Sequence, residues 1–335
     1  MNRLFPVLLI VSVFLAGCAS GGRPDWTDGG RSKNFPADRY LTGMGTASEL
    51  DTAKVRARAS LAKTVAINIE DVKEAVSRET GKSGSPVLTY VNEARVNQLI
   101  TNRTKQVLTG ARIGETWQGP ETKAHYALAV LPRLQAANNL KQEISRLDRA
   151  TGGYVRRSKS EGDILKKVRA ASIALDAQVA RLGYERTLRR VNDSEAVAPS
   201  QWEIAGLRSD LERLLFRVRV VPQVADDTTG SLGTSTRAAL SKSGFQLSDS
   251  ATAEFILNAG LKFENLGYKD KWYWSRGVLT VKLSERASGK ERGSVSWAIK
   301  ASGQSNADAE QRIATKADAL LDRQLRDTVI RFAVR

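Results

Sequence analysis

The apolar positions of the chain do not keep one period. From Leu4 to Ala16 they run almost unbroken, with only Pro6 and Ser12 interrupting, and one positive charge, Arg3, precedes them. A membrane-crossing helix needs roughly 20 apolar residues, so this run predicts a short export signal over residues 1–17 and not a span. Past residue 35 the pattern becomes that of folded elements. "RYLTGMGTAS" predicts a short strand, its Gly43-Met44-Gly45 a bend, and Ser48 to Asp51 a capping box that opens a helix. In that helix Ala53, Ala57, Leu61 and Val65 recur every fourth residue, a small-residue stripe suited to lying close on a sheet. A second helical or extended segment runs from the Gly/Ser/Pro loop at 81–86 to about Val107. "ARIGETW" and "HYALAVLP" then predict a hairpin with Tyr126, Leu128 and Val130 pointing inward. Pro132 closes a first domain, residues 36–132.

Residues 133–192 return to helical spacing. Leu134, Ala137, Leu140, Ile144 and Leu147 form one stripe, and Ile164, Val168, Ala171, Leu175, Val179 and Leu182 another, with a break expected at Gly152-Gly153. This predicts a helical hairpin, followed by a linker over 193–211. The rest, 212–335, reads as a second domain. "FRVRVV" puts Phe216, Val218 and Val220 on one face of a strand, and "SLGTSTRAALSKSG" follows as a helix. Alternation over 255–263, 279–283 and 295–299 predicts three more strands, the last two joined by "ERASGKERG" with Gly289 supplying a positive φ. A closing helix begins at Ser305 to Asp308 and carries Ile313, Ala317, Leu321 and Leu325. The order β-α-β-β-β-α predicts helices on one face of an antiparallel sheet. The fold class is α+β: two small α+β domains joined by a helical hairpin, after a signal segment.

Charge narrows the list of partners. The formal net charge is +16, and in 133–192 basic residues outnumber acidic ones by about two to one. In the cytoplasm such a balance points to nucleic acid. Export removes that partner and leaves the anionic polymers of an envelope, attracted through a field screened within about 8 Å. The basic hairpin is then a candidate contact surface. With one histidine, His125, and one cysteine, Cys18, no soft-ligand metal site is expected, and no cofactor. Strand parity puts His125 on the outer face of its hairpin, away from any nucleophile. Asp226 and Asp227 fit turn chemistry better than an acid and base pair.

One stretch stands apart. "KDKWYWSRG", residues 269–277, sets Trp272, Tyr273 and Trp274 between lysines and Arg276. A regular pleat continued back from Leu279 points Tyr273 inward and both tryptophans outward, whereas a bulge at Gly277 would reverse them. Outward indoles beside cations suit a sugar ring or the hot spot of a partner protein.

Leu15-Ala16-Gly17-Cys18 resembles the lipobox of bacterial lipoproteins, which implies a Cys18 linked to diacylglycerol and exposed as the new N-terminus. Two or three acyl chains, at about 0.8 kcal/mol per buried CH2, anchor almost permanently. By the same resemblance the absence of Asp at position 19 implies the outer membrane, and residues 18–35 read as a lipidated, flexible tether. "PDW", "YLTGMGTAS" and "AKVRARASLAKTVAINI" resemble, in that order, the Lpp-twenty family of bacterial outer-membrane lipoproteins. "LTVKLSERASGKERGSVSW" makes residues 212–335 similar to the class that includes the amino-terminal domain of the Tol-system propeller protein and the lipoprotein activators of peptidoglycan synthases. The resemblances imply a lipid-anchored protein on the periplasmic face of the outer membrane, with no catalytic residue to transfer, acting as an assembly or scaffold factor. An adaptor that binds peptidoglycan or activates its synthases is the alternative, and a periplasmic hydrolase a third reading. The partners expected are outer-membrane lipid through the acyl anchor, an envelope protein, and peptidoglycan or another anionic polymer, but no nucleic acid.

Overall fold

The computed structural model describes residues 22–29, 31–79, 86–192, 198–227 and 230–334. Leu15, Ala16, Gly17 and Cys18 lie outside the described residues. The chain divides into two compact units, one comprising the residues up to Thr64 with Gly110–Arg133, the other Val65–Thr109 with Leu134 onward.

In the first unit, β1 (Tyr40–Ala47), β2 (Arg112–Gln118) and β3 (His125–Pro132) form an antiparallel sheet in the order β1-β3-β2, and α1 (Leu50–Val65) lies on it. The stripe predicted on α1 is buried at Ala53, Ala57 and Leu61. Helix and strand approach so closely that β1 has no room for side chains at two positions. A Cβ on Gly43 would stand 2.1 Å from the Leu61 nitrogen, and one on Gly45 2.2 Å from the Ala57 nitrogen. The Gly-Met-Gly run is therefore a straight strand, paired with Ala129, Leu128 and Ala127, and not a bend. His125 pairs with Ala47 and shares the helix-covered face with Ala127 and Ala129, where it is half-buried and not on an outer surface.

The other face of β3 carries Tyr126, Leu128 and Val130. Trp26, in a short 3-10 turn over Asp25–Asp28, is 4% exposed and packs on Leu128 and Val130, with Phe35, Met44 and Trp117 around it. Ser32 Oγ and Asn34 Nδ2 both donate to Glu115 Oε1, at 2.8 and 2.9 Å. Trp26, Ser32, Asn34 and Phe35 thus belong to the folded unit, although a tether was expected over 18–35. Burial of one indole outweighs the polarity of its neighbours.

The second unit contains α2 (Ile69–Glu79), α3 (Pro86–Tyr90), α4 (Glu93–Thr101), α5 (Thr104–Val107), α6 (Arg133–Ser160), α7 (Ile164–Val191), α8 (Ile204–Phe216), β4 (Arg219–Asp227), α9 (Leu232–Lys242), β5 (Gln246–Leu247), β6 (Phe255–Lys269), β7 (Trp272–Glu285), β8 (Glu291–Gly303) and α10 (Asn306–Arg331). The helical hairpin is present, but its break is not at Gly152-Gly153. Helix α6 runs through both glycines, and Asp163 starts α7 by accepting from the Lys166 amide at 3.0 Å. Gly152 is buried with the Trp202 ring 3.4 Å from where a Cβ would sit. Such packing offsets the roughly 1 kcal/mol that a helical glycine costs.

Helices α2, α4 and α8 pack around α7, which is buried along most of its length, polar residues Ser172, Asp176, Gln178 and Arg181 included. The hairpin is therefore the centre of this unit and not a joint between two domains, and α2 to α5 group with it and not with the first domain predicted over 36–132. The tip of the hairpin is tied to the sheet as well, because Arg292 of β8 meets Asp163 at 2.6 Å and Glu285 at 2.8 Å. The basic contact surface expected of the hairpin shrinks to exposed cations along α6, such as Arg149, Arg156 and Lys159.

The five-stranded sheet has the order β5-β4-β6-β7-β8. Strands β6, β7 and β8 form an antiparallel meander, but β4 runs parallel to β5 and β6, so the sheet is mixed and not wholly antiparallel. The strand expected from Phe216 starts at Arg219, and Phe216 instead ends α8, exposed. Helices α9 and α10 cover one face of the sheet. Helix α10 begins as predicted, with Ser305 Oγ accepting from the Asp308 amide at 3.1 Å, and buries Ile313, Ala317, Leu321 and Leu325. Gly289 has the positive φ its turn requires.

Candidate functional site

The four residues singled out on β7 come together at one end of the sheet. Strand β7 keeps regular register through Gly277, opposite Phe263 and Ile299, and the irregularity falls instead on β6, between Asn265 and Gly267. Parity is thus not reversed. Ser275, Gly277, Leu279 and Val281 are buried under α10, while Trp272, Trp274, Arg276 and Val278 belong to the open face. Tyr273 has inward parity, yet it is 36% exposed, because cover by α10 ends near Ser275. Past that point three residues of β7 at about 3.4 Å each carry the hairpin roughly 10 Å further.

The hairpin ends in a two-residue loop, Asp270-Lys271, with φ of 55° and 66° and Lys269 facing Trp272 across its base. Both values are those of a type I′ turn, which favours Asn-Gly over the pair found here. Side chains below the loop hold one another. Trp274 Nε1 donates to the Lys269 carbonyl at 3.2 Å, and the Lys300 ammonium lies 4.6 Å from an indole centroid of the same residue. The Tyr268 and Tyr273 rings pack at a tilt with centroids 4.9 Å apart, and Arg276 pairs with Glu264 at 3.3 Å. Trp272 at 39%, Tyr268 at 63% and Leu266 at 37% remain open to solvent. Asp226 and Asp227 end β4, and their side chains lie outside the described residues. Among the described residues no group of three His, Cys, Asp or Glu is placed to hold a metal ion.

A second polar cluster escaped the sequence. Asp176, fully buried on α7, accepts from the Asn92 amide at 2.9 Å and pairs with Arg95 of α4, which also donates to Ser172 Oγ at 3.1 Å. Asn92 Nδ2 donates in turn to Asp327 of α10 at 2.7 Å. Burial pushes the Asp176 carboxyl up to about 7, and burial likewise raises that of Asp327. Above this network a cleft of about 450 Å³ is lined by Gln98, Arg169, Gln324 and Arg331 together with Arg95 and Asp327. The charge of Arg169 is disfavoured by burial and by its neighbour Arg95. These residues come from three helices more than seventy positions apart, so no local spacing announces them.

Comparison with known proteins bears on the first unit and on α2 to α5 of the second. Residues 24–132 match the LPP20 lipoprotein family. The LPP20 match covers about a third of the chain, from the turn that carries Trp26 to the end of β3. Three solved structures are similar in part. A secreted protein of Helicobacter pylori is 13% identical, covering 85% of this chain and 97% of its own, with a TM-score of 0.43. A minor lipoprotein from Acinetobacter baumannii, 18% identical, covers 35% of this chain and 90% of its own with a TM-score of 0.25. A lipoprotein from Caulobacter crescentus, 14% identical, covers 34% and 90% with a TM-score of 0.26. No curated protein matches the chain. Nothing in these likenesses supports the resemblance of residues 212–335 to the Tol-propeller class. Among the described residues no helix is long and apolar enough to cross a membrane.

Proposed function

We propose that this protein is an outer-membrane lipoprotein facing the periplasm, anchored through acyl groups on Cys18, which works without catalysis as an assembly or scaffold factor. The observation that carries this reading is the LPP20 lipoprotein match, which begins at residue 24, directly downstream of the Leu15-Ala16-Gly17-Cys18 sequence. The packing of Trp26 supports it, since an anchor at Cys18 then sits only a few residues from the folded unit. Contact is assigned to the exposed end of the β6–β7 hairpin, with Trp272, Tyr273, Trp274 and Arg276.

Metabolic labelling with radioactive palmitate and separation of inner and outer membranes test the anchor. The wild-type chain takes label and floats with the outer membrane, whereas Cys18→Ala takes none. Labelled protein in the inner-membrane fraction would overturn the location. Absence of label from the wild type would overturn the anchor.

A further inference from the structure

The projecting hairpin has a composition that the folded unit itself does not use. Leu266, Tyr268, Trp272 and Tyr273 expose large apolar surfaces at one tip, beyond the end of α10. Exposed clusters of this kind mark contact sites more often than accidents of solubility. The chemistry around them selects the contact. Lys269 and Lys271 have no hydrogen-bond or ion-pair partner for their ammonium groups among the described residues, and Lys300 joins them over the Trp274 ring. Asp270 is the only acid at the tip without a cation against it, because Glu264 is taken up by Arg276. The two left-handed residues of the turn hold the tip in one tight shape, in which Lys271 occupies a position that glycine would fill at lower conformational cost.

Tryptophan and tyrosine rings with an apolar body and a polar edge, flanked by lysines, match the chemistry of a membrane interface. The rings sit at headgroup depth and the ammonium groups reach lipid phosphates. A sugar-binding platform needs the rings and polar side chains that read hydroxyls, but no excess of cations. We propose that the tip of the β6–β7 hairpin is a second membrane contact, which inserts Trp272, Tyr268 and Tyr273 into the interface of a bilayer carrying anionic phospholipid. This deepens the contact role assigned above by naming what the hairpin end touches, and it does not depend on acylation of Cys18.

The test uses the mature chain with Cys18→Ala, so that no acyl group takes part, and vesicles of equal parts phosphatidylcholine and phosphatidylglycerol or of phosphatidylcholine alone. Co-sedimentation is expected with the anionic vesicles and not with the neutral ones. Lipids brominated high in their acyl chains are expected to quench part of the tryptophan emission. Lys269→Ala with Lys271→Ala should weaken binding about thirtyfold, at about 1 kcal/mol per lysine near an anionic surface. Trp272→Ala with Tyr273→Ala should abolish the quenching, with circular dichroism unchanged because both side chains are exposed. Equal vesicle binding by the wild type and either double variant would overturn the proposal. So would a folded wild type that ignores anionic vesicles at low salt, or one that binds without quenching. A photocrosslinker at Tyr268 in cells that captures one discrete protein in place of lipid would assign the tip to that partner and also overturn it. Loss of palmitate label in cells, by contrast, would strike the anchor reading and leave these results untouched.

Discussion

Asp176 makes the second unit sensitive to pH in a direction opposite to that of most acidic groups. Its carboxyl has no exposed surface, and burial outweighs the Arg95 guanidinium and the Asn92 amide, so its pKa rises from 3.8 to about 7. The folded state therefore holds the proton more tightly than the unfolded chain. Folding takes up a proton between those two values, and stability declines as pH rises through the window, levelling off above 7. A full unit of separation is worth about 1.4 kcal/mol. Integrated from pH 5 to pH 8, the loss is roughly 2–3 kcal/mol. Asp176→Asn keeps an oxygen for the Asn92 amide and cannot ionise, so its stability lacks this component. Urea unfolding of the non-acylated chain at pH 5, 6, 7 and 8, followed by circular dichroism, gives the difference between wild type and variant at each pH. Subtraction removes the groups that do not interact with Asp176; Asp327, whose charge helps raise Asp176 and whose own raised pKa acts in the same direction, titrates with it as a pair. The difference should shift by 2–3 kcal/mol in favour of the variant across the range. A difference that stays constant from pH 5 to pH 8 would show that the carboxyl is ionised throughout, and would refute the reasoning.

Further substitutions probe the packing. Gly43→Ala and Gly45→Ala should each destabilise the first unit by about 3 kcal/mol, since the added carbon meets helix backbone and not a movable side chain; a denaturant midpoint unchanged from wild type would deny the close approach. Trp26→Ala should cost about 3–5 kcal/mol, whereas Trp26→Phe should cost under about 1.5 kcal/mol, because the indole Nε1 is buried without a hydrogen-bond partner. The pair separates loss of volume from loss of the indole N–H, which has no partner to lose. Arg292→Ala should cost about 3 kcal/mol, as it strands Asp163 and Glu285 between the tip of the helical hairpin and the sheet; thermal unfolding compared with Arg292→Met, which keeps the stem but not the charge, reads how much of this is electrostatic.

Where the sequence spoke clearly, a single element sufficed to explain it. The four-residue stripe on α1, the Ser305 cap of α10 and the alternation along β6, β7 and β8 each record a relation between neighbours in the chain, and each is found. The parity of Trp272 and Trp274 was legible for the same reason, although the exposure of Tyr273 depends on where α10 stops. Long-range relations were not legible. Nothing near Gly152 says that Trp202 lies against it and keeps the helix whole. Nothing in the polar run from residue 24 to 34 says that Leu128 and Val130 await Trp26. The interior network joins Asn92, Asp176 and Asp327 from three distant segments, and charged residues on a helix read locally as a solvated face. Helix α7 carries such residues inward, which is why a basic hairpin expected at the surface proved to be a core.

The boundary of the LPP20 match and the boundary of the folded units do not coincide. Residues 65–109 lie inside the matched stretch, yet α2 and α4 find their packing on α7, which begins at Ile164. What matches as one block is thus divided between two units. A chain cut after residue 132 would retain the whole family signature and still leave α2 and α4 with apolar faces open, Val72, Val76, Val96 and Ile100 among them. A match that reads as one module is here no autonomous folding body, and a partner grafted onto the matched segment alone would receive an incomplete one.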